Sequence, residues 1–216
     1  MPVPHYFAYG SNMSRAELLA YCPSAHFLGI ARLDGWRLDF TVFSQKRQGG
    51  VADIVALPVA AELDRPSGDD PADRPRTLPS GAPTANGQPP PAPANPLSPV
   101  WGVLWSIPED ELPALDAKEG FDPARPDERN LYRRVDLELM LLPEQALPVG
   151  VLTATLQPAP APPALVRAFA YEVLRKAPAT VPPGRAYLEL LLRGAREHGL
   201  PPEYSAALAA VASVGQ

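Results

Sequence analysis

The feature that most limits the folds open to this chain is a stretch from about residue 62 to 98 in which large apolar side chains almost vanish. Pro, Ala, Asp, Ser, Gly and Asn take their place, with Pro89-Pro90-Pro91 in succession. Such a segment buries too little surface to offset the entropy of ordering it, so the sequence predicts a mobile, partly polyproline surface insertion. It holds many of the 30 prolines of the 216 residues, against an average proline content of about 5%. The flanks carry enough of the 46% hydrophobic content for one core. Residues 1–216 therefore read as a single domain broken by one Pro/Ala-rich insertion at about 62–98.

Charge and cysteine usage narrow the partners. A net charge of −5, with no basic run, gives no electrostatic footprint for nucleic acid or an anionic membrane, which leaves a small molecule or a protein. Cys22 is the only cysteine, so no disulfide framework or thiolate metal cluster is expected. The opening MPVPHYFAYGS lacks the basic-then-apolar order of a secretory leader, and no window approaches the length of a membrane span. The expectation is a cytoplasmic protein. Nothing in the sequence selects between a monomer and a homodimer.

The first residues make a candidate site. Tyr6 to Tyr9 run as a short strand, Gly10-Ser11-Asn12 breaks it, and Ser14-Arg15-Ala16-Glu17 has the S-x-x-E form of a capping box that opens a helix. Turn N–H groups have no ladder partner, and Gly10 would let a ligand approach the main chain, so carbonyl or anionic oxygens are natural guests. An ordinary strand-to-helix turn reads the same way from local features.

Further along, Asp34-Gly35 between two apolar runs signals a hairpin. Strands are expected near Val51 to Leu57, Val100 to Ile107, Tyr132 to Leu142 and Val149 to Leu156. Val166 to Val173 is compatible with strand or helix. A second S-x-x-E, Ser106 to Glu109, opens a helix that Pro113 should distort and that ends at Glu119-Gly120, where Gly suits a left-handed cap. Phe121 to Asn130 is a polar loop. Gly184 to His198 and the residues after Pro201-Pro202 form the last helices. Strands outnumber helices and most connections are short. The fold class is α+β, a small, mainly antiparallel, barrel-like sheet with flanking helices.

Candidate chemistry is sparse. His5, His26 and His198 lie in different elements without ligand spacing, so no metal is expected. Cys22 sits at a helix end before Pro23, a poor place for a thiolate, and reads as packing. Asp116 and Glu119 share a helical face. Glu119 stands against the helix dipole at the C-terminus, a conflict with local electrostatics of the kind found at functional sites or at a solvated helix end.

Four blocks in order make the chain recognisable: YFAYGSNM at Tyr6 to Met13, ARLDGWRLDF at Ala31 to Phe40, VWGVLW followed by LDAKEG at Leu115 to Gly120, and GAREHGLPPEY at Gly194 to Tyr204. With them the chain resembles the γ-glutamylcyclotransferase family in its γ-glutamyl-dipeptide type. The resemblance implies a small α+β barrel that converts γ-glutamyl amino acids or amines to 5-oxoproline and the free amino acid or amine, without cofactor or metal. By position, Glu119 would be the acid/base and Tyr6, Phe7, Ala8, Tyr9, Gly10 and Ser11 would line the substrate site through the Tyr9-Gly10-Ser11 turn. Tyr187 would touch substrate or pack as a core aromatic, and Asp116 is left structural. No protein nucleophile is needed, because the substrate's own amine attacks its own carbonyl.

Two departures from the family pattern are the insertion and the length of Phe121 to Asn130, which as a rim would alter leaving-group preference. Same-class alternatives act on glutathione or γ-glutamyl-lysine-type amines. From other classes, the fold would serve as a non-catalytic small-molecule binder, or the Pro-rich segment would serve as an interaction arm.

Overall fold

The computed structural model describes residues 3–58, 95–142 and 162–215. The expected strand at Val149 to Leu156 and most of the Pro-rich insertion lie outside them. The insertion's end does not: Leu97 is buried and its carbonyl accepts from the Leu38 N–H at 3.0 Å, while the Ser98 hydroxyl donates to the Trp36 carbonyl. Leu97 and Ser98 thus belong to the packed domain although composition places them in the insertion.

Five strands close a barrel in the order β1 (His5–Ala8), β5 (Val100–Ser106), β2 (His26–Leu33), β6 (Tyr132–Leu141) and β7 (Ala164–Val173). All neighbours are antiparallel except β1 and β7, a parallel seam registered at one pair, Tyr6 opposite Phe169. The rings of that pair stack at 5.3 Å. By contrast β6 and β7 run in unbroken register from Tyr132–Val173 to Leu141–Ala164. Phe7, Leu104, Trp105 and Leu139 are fully buried, with the Trp105 ring edge-on to Phe27 and His198. Val166 to Val173, open to two readings, is strand. The expected α+β barrel with flanking helices is what the chain forms.

The Asp34-Gly35 turn is present, with Gly35 at φ 78°, but the strands on either side of it do not pair. Both edges of β2 are taken, one by β5 and the other by β6. With no ladder left there, β3 (Trp36–Ser44) leaves the barrel and pairs instead with β4 (Gly49–Ala56) across residues 45–48. Segment 177–181 straps this second hairpin down through Ala177 N–H to the Thr41 carbonyl and Val181 N–H to the Phe40 carbonyl.

Both capping boxes are corrected. Ser14 stands at the N-cap of α1 (Arg15–Leu19) but its side chain caps nothing, and Glu17 accepts from Arg47 at 2.8 Å. Residues Glu109–Glu111 form a 3₁₀ turn with Pro108 before it, and α2 (Leu112–Glu119) follows. Pro113 therefore falls in the first turn of α2, where its missing N–H costs nothing, and leaves the helix undistorted. Gly120 takes the left-handed cap at φ 68°, ψ 30°, as expected. The helices α3 (Arg185–Glu197) and α4 (Pro202–Ala209) complete the chain. No helix among the described residues is long and apolar enough to cross a membrane.

Candidate active site

Strand β1 delivers Tyr6 and Tyr9 to one end of the barrel, and the turn after it carries Gly10, Ser11 and Asn12. The C-terminus of α2 brings Lys118 and Glu119, the start of β6 brings Tyr132, the end of β7 brings Tyr171, and the first turn of α3 brings Tyr187. All of these but Lys118 line an inner pocket of about 40 Å³. It opens on a larger cavity of about 380 Å³, and Ser11, Glu119, Tyr132 and Tyr187 line both.

A network fixes Glu119. Asn12 Nδ2 donates to Glu119 Oε1 at 3.0 Å and to the Tyr6 hydroxyl at 2.9 Å, while Lys118 Nζ donates to the same Oε1 at 3.0 Å and to Asn12 Oδ1. Lys118 thus answers the unfavourable placement of a carboxylate at a helix C-terminus. Oε2 accepts no hydrogen bond among the described residues, which leaves it for a ligand. Glu119 is 17% exposed, enough to reach the cavity yet shielded from bulk water.

Burial pushes the phenols of Tyr6, Tyr9, Tyr132, Tyr171 and Tyr187 well up, so all five are neutral hydroxyls near neutral pH. For Tyr6 the nearby Glu119 charge adds to the rise. The Tyr6 hydroxyl accepts from Asn12, and the Tyr187 hydroxyl accepts from the Ala52 N–H at 3.1 Å. Each therefore keeps its own hydrogen for a guest. The N–H groups of Ser11 and Asn12 find no protein acceptor among the described residues.

Asp116 has a different task. It grips Arg134 through two bonds of 2.8 and 2.6 Å and accepts from the Tyr171 hydroxyl at 2.6 Å. Arg134 lies over the Phe169 ring at 4.8 Å. The Tyr9 hydroxyl in turn donates to the Tyr171 carbonyl. Asp116 thereby locks α2 to the barrel wall, and Glu119, three residues on, faces the pocket.

Of the residues expected at the site, Tyr6, Tyr9, Gly10, Ser11, Glu119 and Tyr187 converge. Phe7 and Ala8 do not: both are fully buried and line neither cavity. Gly10 differs in reason. Its φ of −116° is not left-handed, and a Cβ there would stand 3.3 Å from the Tyr187 hydroxyl and 3.5 Å from Ala52. What it conserves is room for Tyr187. The loop Phe121 to Asn130 lines neither cavity; the outer rim is instead formed by residues 42–47, Leu131 and Arg175.

Sequence reasoning missed Asn12, Lys118, Tyr132 and Tyr171. Asn12 and Lys118 each lie inside a recognised block, a usable signal; the tyrosines look like ordinary strand aromatics. Cys22 is buried with its thiol pushed up to about 11 by burial, in keeping with packing. His198 is stacked on Phe27 at 4.8 Å, and burial holds its pKa below the usual imidazole range.

Residues 99–208 match the sequence profile of the AIG2-like family. The chain is 25% identical over 210 residues to a γ-glutamylcyclotransferase of Mus musculus, covering 95% of this chain and 77% of that protein. It is 26% identical over 210 residues to one of Homo sapiens, with the same coverage. A solved structure of a γ-glutamyl cyclotransferase has the same fold, with a TM-score of 0.65 and 23% identity across all of this chain and 91% of that one.

Proposed function

Because the chain belongs to the AIG2-like, γ-glutamylcyclotransferase family, we propose that it cyclises γ-glutamyl amino acids or amines to 5-oxoproline and releases the free amino acid or amine. The observation that carries this reading is the meeting of Glu119 with the Gly10-Ser11-Asn12 turn, 107 residues away, through the Asn12 amide. One carboxylate and a set of neutral donors around a small polar pocket are what an internal acyl transfer needs.

In the reaction, Oε2 of Glu119 takes a proton from the substrate's α-ammonium. The freed amine attacks the γ-carbonyl carbon, a C–N bond forms, and the carbonyl oxygen becomes an oxyanion. Tyr6 and Tyr187 hydroxyls and the Ser11 and Asn12 N–H groups are the available donors to that oxyanion and to the α-carboxylate. As the oxyanion collapses and the old C–N bond breaks, Glu119 returns its proton to the leaving nitrogen, and the second proton that the attacking nitrogen sheds to become the lactam N–H goes to the released amine, which departs as an ammonium. The protein contributes the bent geometry; attack within one molecule already carries a large entropic advantage. The Tyr9-Gly10-Ser11 turn serves as the cradle, and no cofactor enters the proton balance.

The test incubates the protein with a panel of γ-glutamyl compounds and follows 5-oxoproline by mass spectrometry, beside Glu119→Gln. A wild type that makes no 5-oxoproline from any compound defeats the reading, and a variant that matches wild type removes Glu119 from its role.

A further inference from the structure

The walls of the 380 Å³ outer cavity have a chemistry of their own. It opens directly on Glu119, so on the cyclotransferase reading, on which this inference rests, it holds the group that departs from the γ-carbonyl. One wall is apolar: Val42, Phe43, Leu131 and Val173, with Phe43 51% and Leu131 56% exposed. The remainder carries four cations, Lys46, Arg47, Lys118 and Arg175.

Two of those cations are already answered, Arg47 by Glu17 at 2.8 Å and Lys118 by Glu119 at 3.0 Å. Among the described residues Lys46 and Arg175 meet no carboxylate. Arg175 is nonetheless held in place: its Nη1 donates to the Glu128 carbonyl at 3.1 Å and its Nη2 to the Asn130 carbonyl at 2.8 Å. Carbonyl acceptors orient a guanidinium without cancelling its charge. The result is a positioned cation beside an exposed apolar wall. A guanidinium fixed in this way matches the planar geometry of a carboxylate.

We infer that the outer cavity selects γ-glutamyl compounds whose leaving group is an amino acid with an apolar side chain, its free carboxylate on Arg175 and its side chain against Phe43 and Leu131. Lys46 adds charge to the same subsite. The loop Phe121 to Asn130 acts on specificity after all, through the arginine it orients. Leaving amines without a carboxylate forgo the charged contact.

The deciding comparison is γ-glutamyl-leucine against γ-glutamyl-3-methylbutylamine, which is the same compound without the leaving-group carboxylate. 5-Oxoproline release gives kcat and KM, and calorimetry on the Glu119→Gln protein gives binding. The wild type should favour the leucine compound by about tenfold in kcat/KM, as one partly solvated charged hydrogen bond would give. Arg175→Leu should raise KM for the leucine compound by about the same factor while moving the amine compound far less, and the exposed Lys46→Met should raise it about twofold. Equal kcat/KM for the two compounds in wild type, or an Arg175→Leu effect that is the same on both, overturns the inference. If neither compound yields 5-oxoproline, the cyclotransferase reading has failed for this pair, and binding still decides: tighter binding of the leucine compound supports the anion subsite, and equal binding ends it.

Discussion

The inner pocket and the outer cavity adjoin at Glu119 yet are built on opposite principles. In the inner pocket the Asn12 amide and the Tyr6 and Tyr187 hydroxyls are buried, and each holds a fixed protein partner. In the outer cavity Phe43, Lys46, Leu131 and Arg175 are exposed, and among the described residues Lys46 and Arg175 meet no carboxylate. The difference divides labour: a preorganised pocket can hold the chemistry constant while an adaptable vestibule decides which leaving group arrives.

The largest expected effect tests the inner side. Glu119→Gln keeps the Asn12 contact and removes the proton carrier, so kcat should fall by about a thousandfold with little change in KM, measured as initial rates of 5-oxoproline formation. A loss expressed in KM instead would make Glu119 a binding group and erase the division. Next, Asp116→Ala leaves Arg134 and Tyr171 without their shared acceptor. Because Arg134 is 28% exposed, the cost should be moderate, about 2 kcal/mol, read as a fall in Tm of roughly 6 °C. An unchanged Tm would mean that α2 is anchored by other contacts.

Gly10→Val should come third, with about a tenfold loss of kcat and a protein that still folds, because the added methyl groups push on the Tyr187 hydroxyl and the φ there is not left-handed. Tyr187→Phe in the same background should then cost little more; independent, multiplying losses would show that Gly10 acts elsewhere. The smallest effect belongs to the vestibule. Raising salt from about 0.05 M to 0.5 M should raise KM for a carboxylate-bearing substrate about twofold while kcat holds, since exposed cations are screened and the buried network is not. A kcat that falls in parallel would put the exposed charges inside the chemistry.

Much of this was legible in the sequence, and the boundary is instructive. The strand, turn and restart at Tyr6 to Ser14 and the Glu119-Gly120 helix end are local patterns that the sequence displays, whereas the two S-x-x-E capping boxes, equally local, do not form. The partner of β3 was not legible, because an Asp-Gly turn says nothing about whether the edges of β2 are already occupied by strands that begin at Val100 and Tyr132. Phe7 and Ala8 are grouped with Tyr6 and Tyr9 for the same reason: contiguity in sequence stands in for contiguity at the pocket, whereas both are fully buried and line neither cavity. Tyr132 and Tyr171 reach the site only through barrel closure and strand register, which no window of sequence displays. The loop at Phe121 to Asn130 was seen as a wall, and its contact with the cavity runs through a residue forty-five positions after Asn130.

The parallel seam between β1 and β7 has a consequence for how the protein fails. It is registered at Tyr6 opposite Phe169 alone, and Tyr6 is also a wall of the inner pocket. The joint with the fewest ladder bonds therefore runs through the pocket's own floor, so breathing of the barrel begins at the site proposed for proton transfer. On warming, amide exchange at the β1 end and loss of turnover should rise together, ahead of the far side where β6 and β7 stay zipped, and a guest that fills the pocket should act as the rivet that keeps the seam shut.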